Sequence, residues 1–168
     1  MIWNAVERFG SSFFLFVSNL VLARLLSPDD FGCIGMLLVF ISISDAIVDG
    51  GFGSALIQKK NPTATDYSTV FYWNLGLSFV LYATLFLTAP LIADFYEIPL
   101  LSDILKIQGI ILVINAVMQV QQNVLRKKLA FGRIAKINLS SVIFGTSVGI
   151  LFAYWGAGVW SLVAKLLV

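Results

Sequence analysis

The chain has 168 residues, of which 59% are hydrophobic and 12% charged, with a formal net charge of +2 and no histidine. Its mean hydropathy of +0.93 would leave a water-soluble domain of this length with more apolar surface than it could bury, so it reads as an all-α, polytopic membrane helix bundle. The missing histidine removes histidine acid–base chemistry and the common zinc sites, lone Cys33 excludes internal disulfides and thiolate clusters, and the small charge gives no ground for nucleic acid, so no catalytic residue, metal or cofactor is expected.

Met1-Ile2-Trp3-Asn4 carries no basic leader or cleavage motif and is not read as a secretory signal. The first predicted span covers 9–26, entered by Glu7 and Arg8 and interrupted by Ser11, Ser12, Ser18 and Asn19. Small and polar residues of this kind usually mark the face a membrane helix turns to its neighbours. Ser27-Pro28-Asp29-Asp30 is turn chemistry, because proline presets φ and short polar side chains bond the local backbone. Arg24 just before it has two readings, an arginine reaching out to the headgroups or a cation in a water-filled cavity.

The second span, 31–57, contains Asp45 and Asp49 on one helical face with Ser42. An aspartate at mid-span costs about 2.5–3.5 kcal/mol on insertion scales. The pair therefore faces a cavity, a cation or each other, as an ion-coupling site or as a structural partner of Arg24 or Arg8. The glycines of Asp49-Gly50-Gly51-Phe52-Gly53 would loosen the helix or admit a close neighbour. After the polar loop 59–66, where Thr65 or Asp66 can cap the next helix, a third span covers 67–92, with Tyr67, Tyr72 and Trp73 suited to the interface and Asn74 beyond them.

The acidic turn 94–99 leads to a fourth span, 101–125, with a polar stripe of Asn115, Gln119, Gln122 and Asn123. Such amides bind sugars, or bond helix to helix. Arg126 to Lys136 is the most basic stretch and suits a membrane surface. With Lys59 and Lys60 it loads alternate loops with positive charge, whereas Asp29, Asp30, Asp94 and Glu97 occupy the others, which places the N-terminus in the cytoplasm. The fifth span, 137–154, aligns Ser141, Gly145, Gly149 and Ala153 on one face for close helix contact. The turn around Trp155-Gly156-Ala157-Gly158 opens a partial sixth helix, 159–168, with Lys165 inside it.

Leu22-Ala23-Arg24-Leu25-Leu26-Ser27-Pro28-Asp29-Asp30-Phe31-Gly32 resembles the first loop of the Wzx-like polysaccharide transporters, O-antigen flippases of the multidrug/oligosaccharidyl-lipid/polysaccharide exporter superfamily. The stretch from Asp49 to Lys60, Thr69 to Gly76, and Gly158-Val159-Trp160-Ser161-Leu162 fit the same family. Asp45 departs from the family pattern. The resemblance implies two six-helix lobes around a central cavity, of which this chain is similar to the first lobe, five spans and the start of a sixth, as an N-terminal fragment. It further implies a bacterial inner-membrane flippase that moves undecaprenyl-diphosphate-linked oligosaccharide by alternating access, for O-antigen, capsule or exopolysaccharide assembly, beside membrane lipid and polysaccharide polymerase machinery.

A diphosphate cannot cross hydrocarbon unpaired, and arginine meets phosphate oxygens bidentately, which makes Arg24 the first candidate cation, followed by Arg8 and Lys165. Asn19, Asn74, Asn115 and Gln119 are candidate sugar ligands, and Asp45 and Asp49 candidate couplers to H+ or Na+. The alternatives are a drug/cation antiporter of the same superfamily, in which the aspartates would dominate, and a non-transporting membrane scaffold. A membrane glycosyl- or acyltransferase would need a carboxylate or histidine at a membrane face, and Asp29-Asp30 is explained by its turn.

Overall fold

The computed structural model describes residues 2–167, with side chains for 9–130 and 132–167. Eight helices follow one another: α1 (Ile2–Leu25), α2 (Pro28–Asp49), α3 (Phe52–Gln58), α4 (Ala64–Phe95), α5 (Leu100–Gln108), α6 (Ile110–Lys127), α7 (Phe131–Tyr154) and α8 (Val159–Leu167). Among the described residues, Pro28–Asp49, Ala64–Phe95, Leu100–Lys127 and Gly132–Tyr154 are long and apolar enough to cross a membrane, and the apolar stretch Phe9–Leu25 of α1 is shorter. Large apolar side chains such as Phe9, Phe16, Leu87, Leu91 and Phe144 lie more than half exposed along these helices. Outward apolar surface on this scale is what a bilayer solvates, and the chain is a multi-pass membrane protein.

Helix boundaries follow local chemistry. At the start of α2, Ser27 Oγ accepts from the Asp30 amide at 3.3 Å, and Asp30 Oδ2 accepts from the Ser27 amide at 3.0 Å. With Pro28 in the first helical position, this reciprocal cap satisfies donors that the first turn would leave bare. Thr63 and Asp66 repeat the device at α4, where the cap residue is Thr63, two positions before the Thr65 expected from sequence. Lys59 adds an ion pair to Asp66 at 2.7 Å.

The second predicted span, 31–57, is not one helix. α2 stops at Asp49, and Gly50 and Gly51 adopt φ of 46° and 80°, a left-handed backbone that side chains disfavour. α3 resumes beyond them, and Lys127 Nζ donates to the carbonyl oxygens of Leu56, at 3.1 Å, and of Lys59 at its C-terminal end. That cation meets the negative end of the helix dipole.

The chain divides into two compact bodies. In the first, formed by Met1–Met36 and Ala130–Val168, α1 packs along α7 and α7 along α8 around Leu22, Ile134, Ala153, Leu162 and Val163. In the second, Leu37–Leu129, α4 packs on α5 and α6 and α3 on α6, around Leu37, Leu85, Leu101, Ile104, Leu105 and Leu112. Cys33 is buried and behaves as a small apolar side chain.

Candidate functional site: a carboxylate–amide cleft

Polar side chains inside an apolar bundle must be satisfied by one another, because lipid offers no partners. The second body solves this with a matched register. Asp45 and Asp49 stand four residues apart on α2, and Asn115 and Gln119 stand four apart on α6. Asn115 Nδ2 donates to Asp45 Oδ2 at 3.2 Å and lies 3.4 Å from Oδ1, while Gln119 Nε2 donates to Asp49 Oδ1 at 2.5 Å. Both pairs advance in the same direction, so α2 and α6 run parallel through the contact.

Behind them, α4 presents Asn74, fully buried, whose Nδ2 donates to Gln119 Oε1 at 2.8 Å. Gln119 is thereby held from both ends, its carbonyl by Asn74 and its amino group by Asp49. Gly53 of α3 completes the arrangement: a Cβ there would come within 2.8 Å of Asn123 Nδ2 and 3.1 Å of Asp49 Oδ1. Asp45, Asp49, Asn115, Gln119 and Gln122 line an open cleft of about 390 Å³. Its carboxyl oxygens keep lone pairs beyond those engaged by the amides, which suits a proton, a small cation or hydroxyl groups.

In the first body, Lys165 Nζ of α8 donates to Asn19 Oδ1 of α1 at 2.9 Å, bringing together two residues to which sequence gave separate roles. Arg24 is exposed at the end of α1, without a hydrogen bond or ion pair among the described residues. The Arg8 side chain lies outside the described residues. Ser42, on the Asp45 face by spacing, is exposed.

Residues 21–168 match the model of a family described as polysaccharide biosynthesis protein. The chain belongs to that family. It is 27% identical to the succinoglycan biosynthesis transport protein ExoT of Rhizobium meliloti over 99% of this chain and 34% of the relative. It is 28% identical to the lipopolysaccharide biosynthesis protein WzxC of Escherichia coli over 91% of this chain and 31% of the relative. The teichuronic acid biosynthesis protein TuaB of Bacillus subtilis is 34% identical over 56% of this chain and 20% of its own length. This member of the polysaccharide biosynthesis family thus spans about a third of the first two relatives' length. No solved structure matches it.

The pairing of Asp49 with Gln119, itself held by Asn74, differs from the sequence reading, which offers arginines as structural partners. A signal was present in the equal four-residue spacing of the two acids and the two amides. Nothing in the sequence tied Asn19 to Lys165, whose meeting depends on α1 and α8 converging on α7.

Proposed function

We propose that the whole protein containing this chain moves an undecaprenyl-diphosphate-linked oligosaccharide from the cytoplasmic to the periplasmic leaflet of a bacterial inner membrane by alternating access. The observation that carries this reading is the carboxylate–amide cleft inside an apolar helix bundle of a family whose relatives include a succinoglycan biosynthesis transport protein. Cations at Arg24, Arg8 and Lys165 meet the diphosphate, since an unpaired dianion is excluded from hydrocarbon. Asn19, Asn115 and Gln119 offer hydrogen bonds to sugar hydroxyls, and Asn74 acts through Gln119 by fixing which end of that amide faces the cleft. The basic residues Lys59, Lys60, Arg126 and Lys128 keep their loops and the N-terminus in the cytoplasm. Delivery to a polysaccharide polymerase follows on the periplasmic side.

Asp45 and Asp49 couple this movement to H+ or Na+. In the full-length protein, Asp49→Asn abolishes the dependence of polysaccharide export on pH or sodium, measured by export in a flippase-deficient strain and in vesicles. An unchanged dependence removes Asp49 from coupling. Arg24→Ala lowers export at least tenfold; export at the parental level would discard Arg24 as the diphosphate ligand and favour a cation antiporter.

A further inference from the structure

The second body has another groove, between α3 and α4, lined by residues other than those of the cleft. Lys59 and Asp66 close its loop end as an ion pair at 2.7 Å. Seven residues away along each helix, Phe52 meets Trp73 edge-on, with ring centroids 6.2 Å apart. The two helices therefore run antiparallel. Between these ends Phe52, Ala55 and Lys59 of α3 and Asp66, Thr69 and Val70 of α4 border a volume of about 220 Å³.

Seven residues at 1.5 Å each make the groove about 10 Å long. One leaflet contributes half of a hydrocarbon core about 30 Å thick, so a groove of this length covers about two thirds of its depth. Its chemistry changes along that length. The loop end is charged, whereas Phe52 and Trp73 at the other end are 40% and 56% exposed. A void along such apolar walls would forfeit dispersion contacts, and in a bilayer hydrocarbon fills it. The gradient from ion pair to aromatic rings is also that of a lipid, charged at its headgroup and apolar below.

The sign of the headgroup follows from the surrounding charge. Lys127 Nζ donates to the carbonyl oxygens of Leu56 and Lys59, which brings the end of α6 to the same mouth. Lys59, Lys60, Arg126, Lys127 and Lys128 thus gather at one end of this body, and Asp66 is the only carboxylate in 50–93 or 104–129. The Lys59 ammonium gives one of its three donors to Asp66 and keeps two, and Lys60 beside it is exposed. Basic pockets between membrane helices suit anionic headgroups.

We propose that the α3–α4 groove holds an anionic phospholipid, its phosphate at Lys59 and Lys60 and the upper part of one acyl chain between Ala55 and Val70. The site is independent of the cargo. Only its placement in the cytoplasmic leaflet rests on the proposed function, through the basic loops that orient the chain.

Trp73, at the apolar end, reports occupancy. In the full-length protein in phosphatidylcholine nanodiscs, its fluorescence is the difference between the parent and Trp73→Phe, and a brominated lipid seated in the groove quenches it. Half-quenching by brominated phosphatidylglycerol is expected at a mole fraction about fivefold lower than by brominated phosphatidylcholine. Lys59→Gln combined with Lys60→Gln removes that difference, and Lys59→Arg keeps it. Ala55→Phe leaves every charge in place but fills the groove, and lowers quenching by both lipids; helical circular dichroism and the thermal midpoint verify that each variant folds. Equal half-quenching by the two lipids in the parent overturns the anionic headgroup. Undiminished quenching in Ala55→Phe, or no quenching of Trp73 by either lipid, overturns the groove as the site. Undecaprenyl diphosphate and unlabelled phosphatidylglycerol are run as competitors, and stronger displacement by the former assigns the groove to the cargo and overturns the phospholipid. Translocation is judged separately, by export in the flippase-deficient strain, so the two readings fail independently.

Discussion

Gln119 is the residue on which the cleft depends, because it joins Asp49 to Asn74 through its two polar atoms. Replacing it with leucine strands a carboxylate and a buried amide together, and an orphaned buried polar group costs about 1–3 kcal/mol. Asn115→Leu strands only Asp45, across a longer contact. Gln119→Leu is therefore expected to lower stability by about 2–4 kcal/mol and Asn115→Leu by about half as much, measured by unfolding in mixed micelles.

At the polar entrance of α4, the Lys59 ammonium and the amide and hydroxyl of Thr63 pull the Asp66 carboxyl down from 3.8 to about 2. The ionised form is the one the fold favours, so its stabilisation is complete above about pH 4 and disappears as pH falls through about 2. The gap in thermal midpoint between the parent and Asp66→Asn should accordingly be constant near neutrality and close towards pH 2.

Among the elements, α7 and α8 pack with little tolerance. Gly149 faces backbone as well as side chain, and a Ser161 carbonyl oxygen at 3.2 Å cannot swing aside. Gly149→Ala should cost about 1–3 kcal/mol, the range for overpacking, whereas Gly35→Ala on α2, with nothing within 4 Å, should cost nothing measurable. Comparing their thermal midpoints checks the assignment. Gly53 is a milder case, since the atoms nearest to it are the ends of the Asn123 and Asp49 side chains. Its role is to let α3 come up against the cleft after the Gly50–Gly51 break.

For the molecule as a whole, the alternation of basic and acidic loops predicts an orientation that cysteine labelling can read. Cys33 is 8% exposed and gives little background. In spheroplasts of cells expressing the full-length protein, a membrane-impermeant maleimide should spare Lys60→Cys and Lys128→Cys and modify Asp94→Cys and Asp29→Cys. The reverse pattern would invert the topology and, with it, the direction of transport.

Hydropathy, helix length and turn chemistry are local properties, and they already determine an all-α membrane chain with its breaks near residues 27, 62, 98, 129 and 156. The capping pairs at Ser27–Asp30 and Thr63–Asp66 also depend on neighbours three residues apart, although the choice of Thr63 over Thr65 awaited the backbone. Residue types alone marked Asp45 and Asp49 as costly in lipid, and Asn115 and Gln119 as part of a polar stripe open to sugar binding or to helix–helix bonding. Which of them meet is another matter. Pairing across α2, α4 and α6, and the encounter of Lys165 with Asn19, are fixed by helix register and rotation, which arise from packing between segments distant along the chain. The split of the second span at Gly50–Gly51 belongs to the same class: the glycines permit the break, and the fit of α3 against Asn123 with Lys127 at its far end makes it.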